Sequence, residues 1–222
     1  MWQILESSIM RILRNSICFF IIFSINTFSQ ENDFQVWESI RVSKKIYKRT
    51  NAYLSHGLRF RENSTILDKN YLDIKIAHRI RKTDRRIIMG YRISNILEGS
   101  YSYNRNRFYF DYIPNYTFKR YKFSLRNRLE YEGNNNSYNW FFRERFNIAY
   151  NIRKNPLEPF FQVEYFLDIK KNIIDKLRYS FGISYPIFNN IDASFYYRLQ
   201  QEINVKNPND IYILGVKLKY KI

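Results

Sequence analysis

The chain carries two histidines, His56 and His78, and imidazole chemistry must use one of them. A working histidine needs a hydroxyl or thiol beside it and a third group to orient it. On an extended strand, residues two apart share a face. Here the residues two further on are Leu58 and Ile80, and Ser55 beside His56 points to the opposite side. No serine follows either histidine at that spacing. The sequence offers no cluster of metal ligands and no glycine-rich phosphate loop, so no metal or cofactor is expected and the chain reads as a non-enzyme.

What remains is ionic chemistry. Arg59, Arg61, Arg79 and Arg92 recur at alternate positions of extended stretches, as do Arg126, Arg128, Arg143 and Arg145, then Arg178 and Arg198. Asp73, Asp111, Glu130 and Glu164 fall on the same faces. Arginine forks and carboxylates on one face can pair in a hydrogen-bonded network, and the surrounding arginines hold those carboxylates ionised. Lys75, Arg107, Lys122, Lys217 and Lys219 add to the basic side, and Asp192 to the acidic side.

The elements that position these residues are strands with one apolar and one polar side. Residues 210–222 put Tyr212, Leu214, Val216, Leu218, Tyr220 and Ile222 on one face and Ile213, Gly215, Lys217, Lys219 and Lys221 on the other. The same alternation marks 50–61, 71–81, 86–94, 107–118 and 121–132, then 140–150, 160–167, 176–185 and 191–201. Most of these are near the ~9–11 residues that cross a bilayer at a tilt. A soluble sandwich needs many Gly and Pro turns, yet the chain has 6 Gly and 5 Pro. The pattern predicts a transmembrane antiparallel up-and-down β-barrel of ten strands over 50–222, with twelve as the fallback.

Tight links at 82–85, 119–120 and 186–190 alternate with longer ones at 62–70, 95–106, 133–139, 168–175 and 203–209. Short turns belong in the periplasm, so the ten strands are expected to begin and end there. The short strand 34–42, within an N-terminal segment 30–49, has no place in that count. Lys44, Lys45, Lys48 and Arg49 fall at the periplasmic turns, where they can meet lipid phosphates.

Residues 1–29 carry Arg11 and Arg14, an apolar run from Ile17 to Phe23, then Thr27 and Ser29. This is the layout of a signal peptide cleaved before Gln30, since the run is shorter than the ~20 residues of a spanning helix. Cys18 is the chain's one cysteine, so the mature part has no thiol chemistry. The formal charge of +17 with 20 Tyr and 19 Phe also suits nucleic acid, but the export signal and the placing of aromatics at alternate strand positions exclude that partner. The expected setting is the bacterial outer membrane, with its lipids as partners and the protein a monomer.

Several short motifs lie along this pattern: Val36-Trp37-Glu38, Gly57-Leu58-Arg59-Phe60-Arg61, Gly90-Tyr91-Arg92, Arg126-Asn127-Arg128, Arg143-Glu144-Arg145, Pro159-Phe160-Phe161 leading to Glu164, and Ile213-Leu214-Gly215-Val216. In them the mature chain resembles an uncharacterised group of Gram-negative outer-membrane barrels called domain of unknown function 2490. The resemblance implies the barrel and no particular activity. Barrels of this size are narrow enough for side chains to fill. The leading expectation is therefore a barrel with a basic, largely filled lumen and a structural or surface-interaction role. A narrow channel for a small anionic solute is the alternative, and a lipid-modifying enzyme the second alternative.

Overall fold

The structure, a computed structural model, describes residues 33–134 and 137–222, and the expected signal segment lies outside them. Eleven strands run through the described residues: β1 (Asp33–Tyr47), β2 (Thr50–Arg61), β3 (Ile66–Arg79), β4 (Arg85–Glu98), β5 (Tyr101–Phe118), β6 (Tyr121–Gly133), β7 (Tyr138–Tyr150), β8 (Glu158–Asp168), β9 (Ile173–Phe188), β10 (Ile191–Glu202) and β11 (Asp210–Lys221). Each bonds to the next in sequence, and β1 bonds to β11 to close the barrel. No helix is long and apolar enough to cross a membrane among the described residues.

The count of ten, with twelve as fallback, is thus corrected to eleven, and the stretch 34–42 that had no place becomes the body of β1. An odd number of alternating strands makes the first and last run the same way, so closure needs a parallel ladder. It extends from Asp33 opposite Ile211 to Ser43 opposite Lys221, while the other ten ladders are antiparallel. Asp33 and Lys221 consequently lie at opposite mouths. The upper mouth, at Asp33, holds links 62–65, 99–100, 134–137, 169–172 and 203–209, and the lower mouth holds 48–49, 80–84, 119–120, 151–157 and 189–190. The two sets are of similar length, because the strands run on through most of what reads in sequence as long loop. The ten strands from Thr50 onward do begin and end at one mouth, as expected, and β1 adds an eleventh that starts at the other.

Tight turns form with little glycine because Lys82, Lys119, Asn172 and Asn204 adopt left-handed backbone there. Glycine is instead used inside. Gly57, Gly90 and Gly215 stand opposite Tyr71, Tyr109 and Tyr196 in the ladders, and each ring lies where a Cβ on that glycine would project. These tyrosine-over-glycine pairs let large rings lie along the inner wall.

The outer face is apolar around the whole circumference. Leu54, Ile74, Met89, Phe110, Leu129, Phe146, Phe181, Phe195 and Leu214 are all exposed on it. Tyr116, Tyr121, Phe123 and Tyr150 cluster toward the lower mouth, and Tyr131, Tyr138 and Trp140 toward the upper. A water-soluble domain rarely exposes so large a continuous patch. Aliphatic residues between two aromatic girdles are the dress of a barrel wall in lipid.

Candidate functional site

The interior is where the chemistry converges. Alternation sends every second residue of each strand to the lumen, and there charged and polar side chains mix with aromatic and apolar ones such as Trp37, Phe141, Phe160 and Phe166 and a small cluster of Ala77, Ile88, Tyr109 and Ile113. Asp73 and Asp111 are each 1% exposed. Arg92 Nε donates to Asp73 at 2.9 Å, and the Tyr109 hydroxyl donates to the same carboxylate at 3.0 Å. Arg128 grips Asp111 with a fork, Nε at 2.6 Å and Nη2 at 2.8 Å. Its guanidinium also lies 3.8 Å from the Tyr109 ring centre, so the two acidic sites share one aromatic platform.

Glu130 and Glu164 anchor a second cluster. Arg143 bridges them, with Nη1 3.2 Å from Glu130 and Nη2 2.9 Å from Glu164. Arg126 also bonds Glu164, and Arg178 reaches it at 3.5 Å. Gln200 accepts from both Nε and Nη2 of Arg178, at 2.9 and 2.6 Å. Arg198 donates to the Ser180 hydroxyl at 2.8 Å. Arg59 lies over the Trp37 ring at 3.7 Å and has no carboxylate partner among the described residues. Arg145 likewise has none, and its Nε is buried without an acceptor.

Two expected members stand apart. Arg79, the last residue of β3, turns to Asp84 in the following turn at 2.5 Å and is exposed at the lower mouth. Arg61, the last residue of β2, pairs with Glu62 and Asp68 at the upper rim. Conversely, Arg41, Lys69, Arg105, Glu132 and Lys176 face the lumen without having been singled out. Arg41 lies on β1, Lys69 and Arg105 on strand ends that read as loop, and Lys176 and Glu132 at the ends of strands that the alternation does mark. Continuing the alternation beyond Tyr71 and Arg107 would have found Lys69 and Arg105.

A cavity of about 920 Å³ runs between these side chains. Its lining includes Asp68, Asn134 and Ser137 near the upper mouth, and Arg86, Glu158 and Lys219 near the lower. Seventeen Lys and Arg line it against seven Asp and Glu, so more than half of the cations have no carboxylate of their own.

The histidines lie on the outer face, both exposed. His78 Nδ1 is 2.9 Å from the Thr50 hydroxyl on the neighbouring strand, a pairing that sequence spacing could not show. No carboxylate bonds its other ring nitrogen among the described residues, so the orienting third group of a nucleophilic site is missing. Nor do three metal-ligating side chains converge among them.

A closed β-barrel with an apolar exterior and a charged, hollow interior defines a porin-like architecture. Its likeness to a solved porin structure, titled "NanC porin structure in rhombohedral crystal form", has a TM-score of 0.50 at 12% identity, covering 75% of this chain and 86% of that one. The chain belongs to the family described as Protein of unknown function (DUF2490), whose profile matches residues 34–211. No curated protein matches the sequence.

Proposed function

We propose that this protein is an outer-membrane barrel whose lumen is a narrow, anion-selective path, exported by the signal at residues 1–29. The observation that carries the reading is the charge of the hollow. Lys and Arg outnumber Asp and Glu on the wall of a 920 Å³ cavity, and the four adjacent strands β10, β11, β1 and β2 place no carboxylate on it. Low-dielectric walls lined by one sign of charge concentrate counter-ions, and a ring of Arg and Lys selects anions in a pore. The apolar belt and its aromatic girdles support the membrane setting.

One observation favours a closed, structural lumen instead. Asp73, Asp111, Glu130 and Glu164 are buried and held by arginines from neighbouring strands, which stiffens β3 to β9 and narrows the path. Planar-bilayer conductance of the refolded barrel in a salt gradient separates the two. The expected result is small steps with an anion-selective reversal potential that moves toward cation selectivity in Lys217→Glu/Lys219→Glu. A folded but silent barrel would favour the closed lumen and overturn the channel.

A further inference from the structure

The lumen is divided. Its buried carboxylates sit on β3, β5, β6 and β8, where arginines hold them. Facing them, the parallel seam brings together Arg41, Lys217 and Lys219, which form no ion pair of their own among the described residues. Arg41 of β1 and Lys219 of β11 are register partners across the seam, and Lys217 lies opposite Ser39. The charges acting most strongly on the Lys217 ammonium are Arg41, Lys75, Lys219 and Arg145, all of its own sign. All five line the same cavity.

Their contacts leave that charge standing. Arg41 donates from Nε to the neutral Ser55 hydroxyl at 3.1 Å, and Lys75 lies 5.3 Å from the Tyr53 ring centre. Lys217, Lys219 and Arg145 form no ion pair among the described residues, and the Arg145 Nε is buried without an acceptor. The nearby carboxylates are engaged elsewhere. Asp73 is taken by Arg92 and Tyr109, Asp111 by Arg128, Glu164 by Arg126 and Arg143, Glu158 by Lys122, and Asp192 by Lys221 at 2.8 Å.

Five like charges round one cavity repel each other, and a single carboxylate would offset only one of them. A phosphoryl group brings about −1.5 to −2 of charge and three strong acceptor oxygens. Those oxygens suit both the lysine point charges and the arginine forks. We propose that Arg41, Lys217 and Lys219 of the seam, with Lys75 of β3 and Arg145 of β7, form a luminal binding site for a small phosphate-bearing solute. The site rests on the channel reading for the solute's access to the lumen, and it names what that path prefers.

The test is calorimetric titration of pyrophosphate into the refolded chain in neutral detergent, at constant ionic strength made up with chloride. Saturable binding is expected. Lys217→Gln and Arg145→Gln should each weaken it at least ~tenfold, the loss of one charge-assisted contact. Lys221→Gln, at the lower rim, should leave it unchanged. If Lys217→Gln fails to reach the folded gel mobility, Lys217→Arg should fold and bind, and Lys75→Gln takes its place as the weakened variant. No saturable binding, equal binding by sulfate and pyrophosphate, or binding that survives in Lys217→Gln/Arg145→Gln would overturn the site. A silent barrel that binds pyrophosphate would overturn the channel alone, while a conducting barrel that ignores pyrophosphate would overturn the site alone.

Discussion

Glu164→Gln is the sharpest probe of the interior network. Glu164 is 4% exposed and is shared by Arg126, Arg143 and Arg178, with Arg145 a further cation acting on it. At an effective dielectric of about 20, each full charge pair at the 2.9 and 3.5 Å separations seen here is worth roughly 5 to 6 kcal/mol before desolvation. Desolvation offsets most of that. Removing one partner of a buried pair nevertheless costs about 3–5 kcal/mol, because the partner's charge is left uncompensated. Glutamine keeps one acceptor but turns an amide N–H toward guanidinium donors, so it cannot restore what it removes. The expected loss is about 3–5 kcal/mol, or two to three and a half powers of ten in the folding constant. Reversible urea titration in lipid vesicles, followed by tryptophan fluorescence, measures it. In the double variant Glu164→Gln/Arg143→Gln the loss should be smaller than the sum of the single losses, since the two share one bond. A single-variant loss below ~1 kcal/mol would mean that water screens the carboxylate, and the reasoning from a buried network would fail.

Two further outcomes test the wall and the seam. Phe181 is 61% exposed on the outer face of β9, near the strand's middle. Phe181→Arg should therefore cost ~2–4 kcal/mol in vesicles, as for a charge at the bilayer midplane. On a water-facing sheet the same change stays within about ±0.5 kcal/mol, and such a result would remove the membrane from the account. Ile40 and Leu218 are partners across the parallel ladder. With Cys18 replaced by serine, Ile40→Cys/Leu218→Cys should yield an oxidant-dependent disulfide visible as a gel shift, whereas a barrel closed between β2 and β11 gives none.

How much of this is legible in sequence depends on where along a strand one looks. In the middle of the wall, water and lipid select opposite side chains, so alternation separates Leu72, Ile74 and Ile76 from Tyr71, Asp73 and Lys75 without ambiguity. At the upper ends both faces meet polar surroundings. Asn70, Asn104 and Asn106 then look like loop, and Lys69 and Arg105 disappear with them. β1 was obscured for another reason. Assuming that every ladder is antiparallel forces an even count, and that assumption removed Arg41 from the lumen. Inward direction alone also misplaces Arg79, which alternation sends inside but whose position at the end of β3 lets it reach Asp84 in the turn. The pairings themselves are not in the pattern. That Arg143 joins Glu130 to Glu164, or that Tyr196 lies over Gly215, depends on the stagger between strands, and no single strand's sequence encodes it.

The parallel seam has a practical side. Its eleven register pairs, Asp33–Ile211 to Ser43–Lys221, measure roughly 35 Å along the ladder at about 3.3 Å per residue. The two ends of the wall are that far apart, so a circular permutant would need a tether on the order of ten extended residues. Such a tether would have to thread the charged hollow or cross the greasy exterior. Left unjoined, the ends are an asset: an epitope placed at Asp33 and another placed at Lys221 would stand at opposite mouths of the barrel, and in the proposed membrane setting a membrane-impermeant antibody could read which mouth looks outward.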